Sequence, residues 1–263
     1  MGTLGAIVAE ARVRVAAMEL RRGELERECA TVLVGPSLRS ALRRDVVTLL
    51  AEVKRRSPSK GAIADDLDAT ARASAYAAGG AAGVSVLTEP LHFRGSVDDL
   101  LAVRRQIDIP VLKKDFHIAP IQLLEARALG ASAALLIARA LAPELLVEMM
   151  QVGTALGLEL LVEVRDEGEL GRALAAGASM IGVNNRDLET LLIDPATSDR
   201  IIPLIPPHVV AIAESGVRSL SDVERYAAIG ADAVLVGSSL SASSDPTAAT
   251  RALTGVPRRT RGR

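Results

Sequence analysis

Several short stretches of the chain bring together side chains able to move protons. Residues 51–61, AEVKRRSPSKG, leave the apolar run Val46, Val47, Thr48, Leu49, Leu50 and carry Glu52 and Lys54 two positions apart. On a strand such residues share a face, with Val53 turned the other way. Opposite charges at the end of a buried strand are costly unless solvated, paired or used. Residues 55–61 add cations, serines, a proline and a glycine, a composition suited to a loop that approaches an anion. Taken alone, this stretch is explained equally well by a strand-end ion pair beside a solvated basic loop. The same residue types recur at Lys113-Lys114-Asp115, Glu163, Asn184-Asn185-Arg186-Asp187, Glu214-Ser215-Gly216 and Gly237-Ser238-Ser239. Lysines and glutamates in one place are the ingredients of general acid–base catalysis. Glycine–serine turns let backbone N–H groups approach a phosphate.

The elements that must position these residues repeat. Apolar strand candidates at 47–54, 83–88, 110–114, 133–137, 158–164, 180–184, 209–215 and 233–237 alternate with Ala-rich helical stretches such as 67–78, 97–106, 121–129, 143–156, 167–175 and 220–228. Glycines at helix ends (Gly79-Gly80, Gly130, Gly157, Gly177, Gly230) mark C-caps. Strand, loop and helix in steady alternation predict parallel β with crossover helices. The unit recurs often enough to close a (β/α)₈ barrel, a fold of typically about 250 residues. An open doubly wound sheet competes, but no G-x-G-x-x-G follows the first strand. Strand ends are polar in nearly every unit, which the barrel explains. The fold class is therefore α/β, a TIM barrel with an N-terminal helical extension. Residues 1–45 read as the extension, 46–255 as the barrel and 256–263 as a basic disordered tail. Within the extension, Leu4, Ile7, Val8, Ala11, Val15 and Met18 recur at helical spacing toward Cys29, and Ser37 is placed to cap a short helix reaching Arg44.

Bulk composition narrows the classes. The chain has 263 residues, 49% hydrophobic, no Trp and a formal charge of −1, so the core is aliphatic and overall charge gives no reason to expect nucleic acid or membrane. Cys29 is single, which excludes an intrachain disulfide. No signal-peptide pattern and no long uncharged apolar run are present, so a cytoplasmic protein is expected. His92, His117 and His208 fall in different units without ligand spacing, and no metal site is expected.

In a TIM barrel, ligands bind at the C-terminal ends of the strands. Reading those ends gathers Glu52, Lys54, Lys114, Glu163, Asn184 and Glu214 at one mouth, and puts Ser215-Gly216 and Gly237-Ser238 after the seventh and eighth strands, where barrel phosphate sites are commonly built. Strand alternation also separates Lys114 from Lys113. Lys114 shares parity with Leu112 and points inward, while Lys113 faces the helix layer or solvent, so its loss is expected to be nearly silent.

The motifs AEVKRRSPSKG, SVLTEPLHFRGS, VLKKDF, LLVEV, IGVNNRDL, AESGV and VLVGSSL, in that order over residues 44–240, resemble those of the indole-3-glycerol phosphate synthase family. The resemblance implies a phosphorylated small-molecule substrate, 1-(2-carboxyphenylamino)-1-deoxyribulose 5-phosphate, which loses CO₂ and water to give indole-3-glycerol phosphate. It implies no cofactor and a monomer or weak homodimer. By the same resemblance Lys114 is the general acid, Glu163 a base or electrostatic partner, and Glu52 with Lys54 the pair serving dehydration and positioning. Asn184 and Ser215 orient the substrate. Ser57, Gly216, Gly237 and Ser238, helped by Lys54 and Arg186, hold the phosphate. Phe93 lines the slot for the aromatic ring, and Glu214 is counted among the substrate-binding residues.

Three positions depart from that pattern. His117 stands where an apolar residue such as Ile is expected, the stretch Ser241–Ser244 is small and polar, and Glu159 shares parity with Glu163 but lies deeper, toward the opposite rim. Other readings share only part of the evidence. A sugar-phosphate isomerase barrel would have the last two strand ends but not the set Glu52, Lys54, Lys114. A flavin-phosphate oxidoreductase would be yellow. A non-catalytic binding barrel would not need acids and bases at so many strand ends.

Overall fold

The computed structural model describes residues 3–262, and residues 1, 2 and 263 lie outside it. Eight strands, β1 (Thr48–Val53), β2 (Gly83–Leu87), β3 (Val111–Lys114), β4 (Ala133–Ile137), β5 (Glu159–Val164), β6 (Met180–Asn184), β7 (Val210–Glu214) and β8 (Ala233–Val236), form a closed parallel barrel in the order β1-β8-β7-β6-β5-β4-β3-β2. Crossover helices cover its outside: α4 (Ala69–Ala78), α5 (Val97–Gln106), α6 (Pro120–Ala128), α7 (Pro143–Ala155), α8 (Glu167–Ala175), α9 (Ala196–Ile201) and α10 (Leu220–Ala228). Alternation along each strand builds two cores. Outward residues such as Val84, Val86 and Val162 pack under the helices, and inward residues such as Leu50, Leu112, Leu161 and Ile212 fill the barrel.

Local chemistry sets the junctions. Asp68, Ser96 and Asp166 cap α4, α5 and α8 by accepting backbone N–H bonds from the first turn. Gly80, Gly130, Gly157, Gly177 and Gly230 adopt left-handed φ of 66–96° just past their helices, a geometry that favours glycine. A short two-stranded ladder, Arg56–Ser57 with Gly61–Ala62, shapes the loop after β1. Beyond β8, α11 (Ser238–Ser241) and α12 (Pro246–Arg251) complete the chain's helices.

The extension is α1 (Thr3–Glu19), α2 (Arg22–Thr31) and α3 (Leu38–Leu42). A single helix toward Cys29 was expected, but the chain breaks at Leu20–Arg21. The break lets α2 turn onto α6, where Leu25 buries against Ile121, Leu124 and Ala128. Leu4, Ile7 and Ala11 of α1 and Leu38 and Leu42 of α3 join the barrel's interior core. α1 covers the mouth. α3 seals the other end, and it stops at Leu42, short of Arg44. Ser37 caps α3 by accepting from Ser40 N–H at 3.0 Å, and its hydroxyl donates to Glu159 at 2.6 Å. Glu159 opens β5 at that closed end and also accepts from Arg39 N–H at 2.9 Å, so it anchors the extension and takes no place at the mouth.

The basic tail departs from its expectation as a disordered end. Through residue 262 it folds back on the closed end of the barrel. Arg258 reaches Asp232 at 2.7 Å, and Arg261 pairs with the same carboxylate at 2.9 Å. The Arg261 guanidinium also donates to the carbonyls of Ile205, Gly230 and Val209. A run of arginines is soluble by composition, but a buried acid and three unpaired carbonyls recruit it. Arg261→Ala takes one of two arginines from the buried Asp232, which keeps Arg258 and the Ala211 N–H, and frees three carbonyls, so it should lower stability by about 3–5 kcal/mol. Urea denaturation measures this, and an unchanged midpoint would return the tail to solvent.

Candidate active site

Each odd-numbered strand ends its interior run in the same way. Two residues beyond the apolar layer of Leu50, Leu112, Leu161 and Ile212 come Glu52, Lys114, Glu163 and Glu214. Side chains from alternate strands share a layer in this barrel type. The uppermost layer is thus three carboxylates around one ammonium. Lys114 Nζ lies 2.7 Å from Glu214, 3.6 Å from Glu52 and 4.0 Å from Glu163. Lys54, one step further out on the same face as Glu52, pairs with it. Glu214, expected among the substrate-binding residues, sits closest to the lysine. Space for it comes from β6, because a side chain at Gly182 would occupy the position of the Glu214 carboxylate.

The electrostatics differ among the members. Burial opposes the charge of Lys114, but Glu214, Glu52 and Glu163 outweigh it and raise its pKa well above that of a free lysine. Burial likewise disfavours the Glu52 anion, yet Lys54 and Lys114 outweigh it and lower its pKa. Glu163 goes the other way. Burial first, then the charge of Glu214, push it up to about 7 against the pull of Lys114 and of Asn184. Asn184 Nδ2 donates to Glu163 at 3.0 Å, and its Oδ1 accepts from Arg186 N–H at 2.9 Å.

Above this layer lies a cavity of about 280 Å³. The structure brings the predicted residues to it: Glu52, Lys54, Lys114, Glu163 and Asn184 at the floor, and Ser57, Ser215, Gly216, Gly237 and Ser238 on one side. Phe93 stands on the wall with Phe116, ring centroids 6.2 Å apart, and Leu87 and Ile137 extend that apolar side. Arg186 lines the cavity and donates to the carbonyl of Leu191 at 2.7 Å. Ser215 has φ 66° and Gly216 φ 95°, so the chain turns sharply after β7. A side chain at Gly237 would meet the Glu52–Lys54 pair. Thr3, Leu4 and Ile7 of α1 close the top. Thus a site with acid, base, apolar slot and glycine–serine side is assembled under the N-terminal helix.

Residues 4–253 match the family profile of indole-3-glycerol phosphate synthase. The indole-3-glycerol phosphate synthase of Streptomyces griseus is 53% identical over 210 residues, covering 80% of this chain and 78% of that protein. That of Rhodococcus jostii is 47% identical over 248 residues, covering 94% and 92%. The chain belongs to the indole-3-glycerol phosphate synthase family. Among solved structures, 3-hexulose-6-phosphate synthase from Salmonella typhimurium superposes with a TM-score of 0.64 at 17% identity over 79% of this chain and 96% of that one, a likeness of fold alone.

In this member of the indole-3-glycerol phosphate synthase family a second charge cluster lies behind the first, and sequence reading missed it. Lys113 does face the helix layer, but it is fully buried rather than solvated. Its ammonium donates to Glu125 of α6 at 2.8 Å and stands 3.8 Å from Asp115. Asp115 accepts from both Arg14 guanidinium nitrogens at 2.8 Å and from Thr88 at 2.6 Å. Burial opposes the Asp115 anion, but Lys113 and Arg14 outweigh it and hold its pKa far down. His117, the departure from the family pattern, completes the cluster. Burial and Lys113 depress its pKa to about 3, so the ring is neutral. Its Nδ1–H donates to Leu135 O at 2.7 Å, and Nε2 is left to face Lys113 Nζ at 3.4 Å. The signal in the sequence was the alternation Lys113, Asp115, His117 on one face, opposite Lys114 and Phe116.

Ser241, in the small polar stretch after β8, also has a role. Its hydroxyl donates to Glu52 O at 3.1 Å and accepts from Lys54 N–H at 3.2 Å, tying α11 to the end of β1. Among the described residues, Glu10, Glu89 and His92 offer potential metal ligands close together. Glu89, however, already accepts from the N–H groups of Leu91, His92 and Phe93, and His92 pairs with Glu10 at 2.8 Å, so the trio staples α1 to the loop after β2. The expectation of a nearly silent Lys113 concerned activity, and its burial and pairing add a cost in stability. Lys113→Met leaves the buried Glu125 without its cation, while Asp115 keeps Arg14, and should lower stability by about 3–5 kcal/mol. Equilibrium unfolding reads this, and a wild-type midpoint would mean the cluster is not assembled.

Proposed function

We propose that this chain closes the indole ring of 1-(2-carboxyphenylamino)-1-deoxyribulose 5-phosphate, releasing CO₂ and water to form indole-3-glycerol phosphate. The observation that carries the reading is the Lys114 ammonium, 2.7 Å from Glu214 and ringed by Glu52 and Glu163, on the floor of a cavity with one apolar and one glycine–serine side. Ring closure joins the carboxyl-bearing aromatic carbon to the ketone carbon. The carbonyl π pair moves to oxygen, which needs a proton as the bond forms. Lys114 supplies it. Its raised pKa is no obstacle, since the alkoxide is the stronger base, and it keeps the ammonium fully protonated beforehand. Loss of CO₂ returns its bonding pair to the ring and restores aromaticity.

Dehydration then needs a proton on the departing hydroxyl and removal of a ring proton. Glu163, poised near neutrality, takes and returns a proton, and Lys54 with Glu52 serves the departing hydroxyl. Phe93 and Phe116 hold the aromatic ring, and Asn184 orients the substrate beside Glu163. The phosphate lies against Ser57, Gly216, Gly237 and Ser238, with Arg186 and Lys54 balancing its charge, and Ser215 helps orient the substrate beside it. α1 keeps bulk water from the reacting face.

Two measurements test these roles. Lys114→Met should lower kcat by about 10²- to 10⁴-fold, with KM changing far less because the phosphate grip remains. Product fluorescence follows the reaction, and a near-normal kcat would remove Lys114 from the chemistry. If Glu163 works as a carboxylate, kcat/KM falls as pH drops through about 7 and levels above it, since protonation removes the base. Glu163→Gln should abolish that limb. A limb of the same midpoint in Glu163→Gln would assign it to another group.

A further inference from the structure

Next to Asn184, with its side chain on the opposite face of the strand end, stands Asn185, to which the mechanism above gives no task. It is completely buried, and its amide is fully used. Oδ1 accepts from Ser198 N–H at 3.0 Å, while Nδ2 donates to Ser215 O at 3.1 Å and to the Tyr226 hydroxyl at 2.9 Å. A backbone N–H only donates and a carbonyl only accepts, so the partners fix which way the amide points. The main chain of Asn185 is engaged as well, donating to Glu214 O at 3.0 Å and accepting from Asp194 N–H at 2.8 Å. One residue therefore joins the ends of β6 and β7, the loop between β6 and α9, and helices α9 and α10.

Its grip on Ser215 matters most. Ser215 has φ 66°, a left-handed conformation strained for a residue with a side chain, and it persists only where the surroundings hold it. A trans peptide points its C=O and N–H in opposite directions. With the Ser215 carbonyl held outward by Asn185, the Gly216 N–H of the same peptide is turned toward the cavity that Ser215 and Gly216 line. We infer that Asn185 is a positioning residue: it locks the Ser215–Gly216 turn so that the Gly216 N–H meets the anionic end of the substrate. This rests on the proposed placement of the phosphate at that side of the cavity.

The test is a double-mutant cycle of Asn185→Ala with Ser215→Gly, reading kcat, KM, inhibition by inorganic phosphate and thermal midpoint. Asn185→Ala should raise KM and the phosphate inhibition constant by about tenfold, equivalent to about 1.4 kcal/mol, with kcat changed much less. In the Ser215→Gly background the same change should cost less than about twofold, because glycine takes the left-handed turn unaided. Asn185→Asp keeps the shape and the acceptor for Ser198 but sets an oxygen against the Ser215 carbonyl, so it should reproduce the KM effect should the alanine variant fold poorly. Tyr226→Phe removes the amide's other partner, and it should lower the thermal midpoint while leaving KM near normal.

An equal cost of Asn185→Ala in both backgrounds, a loss confined to kcat, or a KM rise in Tyr226→Phe matching that of Asn185→Ala would overturn the inference. Ser238→Asp separates this from the placement of the phosphate, since it sets a negative charge against that anion. If Ser238→Asp raises KM and both Asn185 variants do not, the positioning role alone fails. If Ser238→Asp leaves KM and phosphate inhibition unchanged, the phosphate lies elsewhere and the inference falls with its premise.

Discussion

Three carboxylates can share the top of an apolar barrel only because one ammonium stands among them. Glu52, Glu163 and Glu214 are each almost without solvent, and like charges so placed would otherwise take up protons. Lys114 does not compensate them equally. Glu214 has it at 2.7 Å, Glu52 shares it with Lys54, and Glu163 is furthest, at 4.0 Å. The least compensated carboxyl is the one whose pKa rises to about 7. A single lysine placed off-centre thereby sets chemically identical side chains apart, with the Glu52 pKa lowered and that of Glu163 raised.

Holding that lysine in place is the task of the other side of its strand. Along β3 and its extension, Lys114 and Phe116 face the cavity, while Lys113, Asp115 and His117 face outward into a second buried network. There Glu125 of α6 and Arg14 of α1 close the charge balance, two cations against two anions. The outer charge cluster and the Lys114 cluster at the mouth are thus separated by one residue of register. Because Arg14 belongs to the N-terminal helix, the covering of the mouth and the seating of the strand that carries Lys114 share one carboxylate, Asp115. The extension is bound at the closed end as well, through Ser37 and Arg39 on Glu159.

The strand and helix rhythm, the barrel, the mouth residues and the inward choice of Lys114 over Lys113 were all legible in the sequence. These depend on local periodicity: apolar runs, glycine C-caps and the two-residue alternation of strands act over a few positions and leave their mark in the order of residues. The motifs at the strand ends carried the family for the same reason. What the sequence could not say was which distant groups would meet. Lys113 was assigned a direction but not a burial, since nothing within its own strand shows that Glu125 of α6 closes over it. The basic tail read as solvated because its partners, Asp232 and the carbonyls of Ile205, Val209 and Gly230, belong to other units. Gly182 looked like any strand glycine until Glu214 of the next strand was seen to need its space. Periodicity is a property of neighbours along the chain, whereas charge compensation and steric room are settled between residues far apart in sequence, Arg14 with Asp115 or Gly237 with Glu52, and only the closed barrel brings those together.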